Sequence, residues 1–164
     1  MKKFLTPLLL FVLACSFYSC AGKDGPNYSD VFPSIIATNN GIAWAPTLTD
    51  TLKNDTLTLH ARLKPELLRL EFPVSGANYT LAERNAQYYT YDNTGTNITK
   101  TFKLDPSYPN AVTGIVNNTT NALNKYVTGR FNVRFILDTS VKTNDTTGTN
   151  TVTIVNGSFT AVYK

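Results

Sequence analysis

The chain has 164 residues, with 15 basic and 11 acidic side chains and a formal net charge of +4. Charged residues make up 16% of it, well below the roughly one quarter usual in globular chains; 25 Thr and 17 Asn fill the polar share, and 42% is hydrophobic. That apolar content excludes an intrinsically disordered chain. Thr, together with nine Phe and nine Tyr, favours strands over a helical bundle, a coiled coil or a collagen-like repeat.

Met1-Lys2-Lys3 is a basic start to an apolar run from Phe4 to Ala14, broken only by Thr6 and Pro7. At about a dozen residues the run is too short to span a bilayer, which takes ~20, and it has the dimensions of a secretory signal. Small residues precede each cysteine, as Ala14-Cys15 and Ser19-Cys20. The segment resembles a bacterial lipoprotein signal, in which the first mature residue is a lipid-modified cysteine. Cys20 is the preferred attachment site. Apolar character stops there, Ala21 to Asn27 form a polar tether, and no odd thiol is left over. Cys15, behind Val12-Leu13-Ala14, is the alternative. The Ser-Cys end followed by Lys23-Asp24 resembles lipoproteins of the Bacteroidota. The chain therefore divides into a signal peptide over 1–19, a lipid-anchored tether over 20–33 and a single domain over 34–164. The mature chain keeps 13 basic and 11 acidic side chains. No basic run with interleaved aromatics supports a nucleic-acid partner. The N-terminal lipid is then the membrane contact, and the expected location is the outer membrane, with the cell surface as one orientation.

Within the domain, Ser34 to Thr38 and Ile42 to Ala45 are short strand candidates. Thr56 to Leu63 alternates without a slip, with Leu57, Leu59, Ala61 and Leu63 on one side and Thr58, His60 and Arg62 on the other. Lys64-Pro65-Glu66 then turns, and Leu68, Leu70 and Phe72 alternate against Arg69 and Glu71. A short helix opening at Pro65 competes with this, but the alternation through Phe72 favours a strand. Further candidates are Tyr79 to Leu81, Gln87 to Tyr91, Ile98 to Leu104 and Val112 to Val116. Gly129 to Phe135 places Phe131, Val133 and Phe135 inward, and Thr151 to Ile154 and Ser158 to Tyr163 supply two final strands. About ten short strands with turn signals between them read as an antiparallel β-sandwich, with a closed calycin-like barrel as the alternative. A domain of this size buries enough surface to dispense with disulfides.

Two segments echo each other: Tyr91-Asp92-Asn93-Thr94-Gly95-Thr96-Asn97 and Asn144-Asp145-Thr146-Thr147-Gly148-Thr149-Asn150. Asp, Asn and Gly are hairpin-tip residues, a reading preferred to a pair of calcium loops because neither has an EF-hand's carboxylate count. Ala37-Thr38-Asn39-Asn40-Gly41-Ile42-Ala43-Trp44 resembles the Asn-Gly-x-x-Trp opening of small Bacteroidota lipoproteins of unknown function. The aromatic-rich middle at Gly76-Ala77-Asn78-Tyr79 and Ala86-Gln87-Tyr88-Tyr89 is similar to that group. So are two Gly-x-Phe strands, Val127-Thr128-Gly129-Arg130-Phe131 and Val155-Asn156-Gly157-Ser158-Phe159. The resemblance implies a β-sandwich-like lipoprotein and carries no active site with it.

Catalysis is poorly supplied. His60 is the sole histidine, so a zinc site built from several His or Cys is ruled out, and no metal, cofactor or catalytic residue is assigned. No Gly-x-Ser-x-Gly elbow is present, and nothing pairs any two of Glu66, Glu71 and Glu83 as a hydrolase would need. Such a carboxylate-dependent hydrolase would build its cleft around Glu71. Tyr88, Tyr89 and Tyr91 lie close together, Tyr89 and Tyr91 on one face and Tyr88 on the other. Tyr and Trp join an apolar face to a polar handle, so these three and Trp44 are candidate ligand-binding residues for a glycan or a protein, with a role in the core as the competing and preferred reading. Asp50-Thr51-Leu52, Asp55-Thr56-Leu57 and Asp145-Thr146-Thr147 resemble the Bacteroidota O-glycosylation acceptor. They make Thr51, Thr56 and Thr146 candidate acceptors, with Thr51 and Thr146 expected in loops. The sequence thus describes a non-catalytic, lipid-anchored envelope lipoprotein that is structural or binds a partner.

Overall fold

The structure, a computed structural model, describes residues 31–117, 125–142 and 147–163. Eleven strands run in chain order: β1 (Ser34–Asn39), β2 (Ile42–Trp44), β3 (Thr47–Lys53), β4 (Thr56–Leu63), β5 (Glu66–Pro73), β6 (Asn78–Thr80), β7 (Ala86–Tyr91), β8 (Ile98–Leu104), β9 (Ala111–Asn117), β10 (Lys125–Leu137) and β11 (Thr151–Tyr163). Among the described residues the only helical element is a 3-10 turn at Glu83–Asn85. The strands form one antiparallel sheet in the order β2-β1-β11-β10-β8-β7-β5-β4-β3, with β9 beside β10 and β6 beside β9. The sheet curls into a half-barrel. The all-β, antiparallel class is the one the alternation implies. Its architecture lies between the sandwich and the closed barrel.

The curl starts at β10. Tyr126–Asn132 pairs with β9, whereas Phe135–Leu137 pairs with β8. One long strand thereby serves two neighbours on the same side, and the sheet folds over between them. Strands β1, β2, β9, β10 and β11 form one layer, and β3, β4, β5, β7 and β8 the other. The Phe72 ring of β5 meets Phe159 of β11 edge-on at 5.7 Å, and Tyr88 of β7 meets Phe135 of β10 at 5.7 Å. Leu57, Leu59, Ala61, Leu68, Leu70 and Phe72 are buried, as are Phe131, Val133 and Phe135. Leu63 departs from the expected inward row and is 43% exposed, because β4 runs past the end of the core there.

Thr151 to Tyr163 is one strand, where the sequence suggests two. Asn156 at φ 54° makes a bulge instead of a turn. The register with β10 steps from Phe131↔Gly157 to Val133↔Ile154, and the Asn156 N–H donates to Asn132 Oδ1 at 2.8 Å. An extra residue in one strand bends it and adds twist, which curls the sheet further. Strand β3 is not among the strands that the sequence pattern marks. Its row reads Leu48, Asp50, Leu52, and the inward aspartate hides the alternation. Asn54 and Asp55, at φ 49° and 57°, close the β3–β4 hairpin in the two-residue form that needs positive φ.

The two Gly-x-Phe segments lie directly against each other. Gly129 pairs with Phe159, and Phe131 pairs with Gly157. Each ring covers the other strand's glycine: a Cβ on Gly157 would stand 2.4 Å from the Phe131 ring, and one on Gly129 would stand 2.4 Å from Phe159 and 1.9 Å from the Thr113 carbonyl oxygen. Neither position has room for a methyl group. We expect Gly157→Ala to cost about 1–3 kcal/mol in urea unfolding, the range for overpacking a well-filled core, and Gly129→Ala to cost more because it strikes backbone. Phe131→Leu should recover part of the Gly157→Ala loss in a double-mutant cycle.

Asp50 faces inward where β3 comes back toward β11. Burial pushes its carboxyl above the ordinary aspartate value, opposed by the Val162 N–H it accepts, and its Oδ2 has no partner among the described residues. A raised folded-state value means that ionisation opposes folding, and the penalty grows as pH rises past the unfolded value of 3.8. Asp50→Asn should therefore raise the melting temperature at pH 7, with the gain shrinking toward pH 4.

Candidate functional site

The β1–β2 hairpin turns at Asn40-Gly41, both at positive φ, 47° and 83°, the Asn-Gly pattern of a tight two-residue turn. The turn places Asn39 and Trp44 at the mouth of the half-barrel, against the start of β5. Trp44 Nε1–H donates to Glu66 Oε2 at 2.8 Å, and Asn39 Nδ2 donates to both Glu66 oxygens at 3.2 and 3.3 Å and to the Tyr88 hydroxyl at 3.3 Å. Burial first, then the charge and hydrogen bond of Glu66, raise the Tyr88 phenol well above the usual tyrosine range. Trp44 and Tyr88 are thus buried, 4% and 1% exposed, and their polar ends are spent on Glu66. They anchor the hairpin across the core and present no stacking surface. A small hollow of about 310 Å³ opens beside them, between Asn39, Ile42, Leu63 and Pro65.

Tyr89 and Tyr91 lie on the outer face and are half-buried. Tyr89 pairs with Leu67 of β5 and Thr101 of β8. Burial raises its phenol and Arg69 opposes the shift. The Arg62 guanidinium lies over the Tyr91 ring at 5.1 Å and its Nη2 donates to the Gly95 carbonyl at 2.7 Å. Gly95, at φ 77°, makes that approach possible; a Cβ there would stand 3.2 Å from Arg62 Nη2. Next to this clamp lies a groove of about 780 Å³ lined by Thr47, Thr49, His60, Arg62, Lys64 and Leu67, with Leu63 at its end. That volume is within the range of small-ligand sites. Another hollow of about 600 Å³ lies on the opposite layer, between Ile36 and Ile115.

The Asp92 loop is a hairpin tip, as its composition implies. Asp92 Oδ1 accepts from the Gly95 N–H at 2.9 Å and the Thr94 hydroxyl at 2.6 Å, and Oδ2 accepts from Asn97 Nδ2 at 2.7 Å. These bonds, the Thr94 hydroxyl foremost, hold the carboxyl well below its usual range. In the companion segment, residues 144–146, Thr146 among them, lie outside the described residues.

Glu66 and Glu71, five apart on one strand, point to opposite faces, and Glu71 is tied to Arg69. Glu83 sits in the 3-10 turn. His60 is exposed on the outer face of β4, opposite Thr49 and Arg69. Among the described residues no group of three or more His, Cys, Asp or Glu could hold a metal. Thr51 is exposed in β3 instead of a loop, and Thr56 opens β4. Cys15 and Cys20 lie outside the described residues. The sequence alone did not single out Asn39, Glu66 or Arg62 as a set. The cue was faint: a Lys-Pro-Glu turn and an Asn-Gly turn, each next to an aromatic strand.

Glu66→Ala should cost about 1–3 kcal/mol by stranding the buried Trp44 donor and leaving Asn39 with the Tyr88 hydroxyl alone, and should shift the emission of Trp44, the single tryptophan. Glu71→Ala, which removes a partly exposed ion pair, should stay within about 1 kcal/mol of wild type.

Residues 32–163 match a family model described as Domain of unknown function (DUF6252). No curated protein and no solved structure matches the chain.

Proposed function

The chain belongs to the DUF6252 family, and we propose that it is a non-catalytic, lipid-anchored module of the cell envelope that binds a ligand through the outer face of β4, β5 and β7. The observation that carries this reading is the division of consecutive aromatics. Tyr88 goes to the core, while Tyr89 and Tyr91 stay on the surface beside a groove, with Arg62 fixed in place by a carbonyl and a ring. Half-exposed tyrosine rings beside hydroxyls and a fixed guanidinium suit sugars or a protein surface. A hydrolase reading fits less well, because the β5 carboxylates face opposite ways and both are engaged by donors.

The anchor rests on the sequence: a basic start, a short apolar run and Cys20 ahead of a polar tether. The lipoprotein motifs and the Bacteroidota resemblance belong to the same proposal, as does an outer-membrane location. A bacterial lipoprotein cysteine carries several acyl chains, which gives stable anchoring where a single chain is marginal.

Protease shaving of intact cells, with a periplasmic control protein alongside, tests orientation. Clipping of the domain while the control survives places the binding face outside the cell. Cys20→Ala should move the protein from the membrane to the soluble fraction, and membrane retention of that variant would remove Cys20 as the anchor. Tyr89→Ala should abolish binding on a glycan array without lowering the melting temperature by more than a few degrees.

A further inference from the structure

We propose that the groove beside the β4–β5 turn selects acidic carbohydrate, a reading that rests on the ligand-binding role assigned to this face. Its lining gathers His60, Arg62 and Lys64, alternating with the hydroxyls of Thr47 and Thr49 and the apolar walls of Leu63 and Leu67. No carboxylate lines it, and none pairs with these three side chains among the described residues. The nearest acids are otherwise occupied. Glu66 turns inward to Trp44 and Asn39, Glu71 is held by Arg69, and the Asp92 carboxylate is consumed by its own turn. The groove therefore presents Arg62 and Lys64 without an ion-pair partner among the described residues.

Two features favour a sugar over other anions. Tyr89, half-buried on the same outer face, pairs with Leu67 of the groove wall, and a tyrosine there offers a pyranose an apolar face. The threonines offer neutral partners for its hydroxyls. Arg62 is already immobilised by Gly95 and Tyr91, so little freedom is lost when it grips a carboxylate or sulfate, and its planar fork matches such a group. Two cations, Arg62 and Lys64, are too few for a nucleic acid, which needs a longer row of phosphate contacts.

The test is an array carrying uronate, sialylated and sulfated oligosaccharides beside their neutral parents, with oligogalacturonate and its methyl ester as the matched pair in solution. The full-length protein should bind the acidic member of such pairs and lose it as salt rises toward molar. The double substitution Arg62→Gln/Lys64→Gln should weaken that binding at least about tenfold at an unchanged circular dichroism spectrum, while Lys125→Gln, remote from the groove, should leave it intact. Equal binding to the acid and its ester overturns the charge selection and leaves the sugar-binding role standing. Retention of no oligosaccharide overturns both. Binding to phosphatidylglycerol vesicles through Arg62 and Lys64, without any oligosaccharide, overturns carbohydrate as the ligand in favour of a lipid surface.

Discussion

Two phenylalanine rings, each lying on a glycine of the facing strand, hold β10 and β11 together as one ribbon, and the rest of the half-barrel depends on that ribbon. Directly opposed residues in an antiparallel pair are only about 5 Å apart, so a ring can lie flat across its partner only where the partner has no side chain. Gly129 and Gly157 supply that absence at alternate ends of the same short register. Because β10 also pairs with β9 and β8, and β11 with β1, the ribbon fixes the position of both layers. The bulge at Asn156 lies next to Gly157, so this strand bends beside one of the two glycines that a ring covers.

The same economy of residues runs through β5 and β7. Even positions of β5, from Glu66 to Phe72, build the mouth and the core; odd positions build the outer face. In β7, Tyr88 completes the buried network, and its neighbour Tyr89 stands beside the groove. Glu66 is the hinge between the two roles. It closes the interior against the β1–β2 hairpin, and by turning inward it leaves Arg62 and Lys64 on the outer face without an ion-pair partner among the described residues.

Much of this was legible in the chain. Thr56 to Leu63 and Leu68 to Phe72 alternate cleanly, and the buried side chains follow that pattern up to Leu63. The Gly-x-Phe segments and the Asn-Gly turn were visible as motifs, but not as partners. The reciprocal contact of Phe131 with Gly157 depends on register, which a strand pattern does not state. Strand β3 was obscured by Asp50, because an inward aspartate on an edge strand violates the pattern it belongs to while serving to discourage further pairing. The site was the least legible part. Asn39, Glu66 and Tyr88 are 27 and 49 residues apart, and only the folding of one layer over the other brings them together. Tyr89 could be assigned to a face but not to inside or outside until β5 and β8 were placed around it.

The chain enters the domain through β1, in the layer opposite the groove. If it is held from that end while something grips Arg62 and Lys64, tension crosses the whole thickness of the molecule. It first reaches the ladder between Ser34–Asn39 and Thr160–Ile154. That ladder is interrupted at its middle, where the register shifts between Ile36 and Thr38. Mechanically, a pull on the N-terminal end of β1 then loads this shifted ladder ahead of the glycine-locked ribbon behind it.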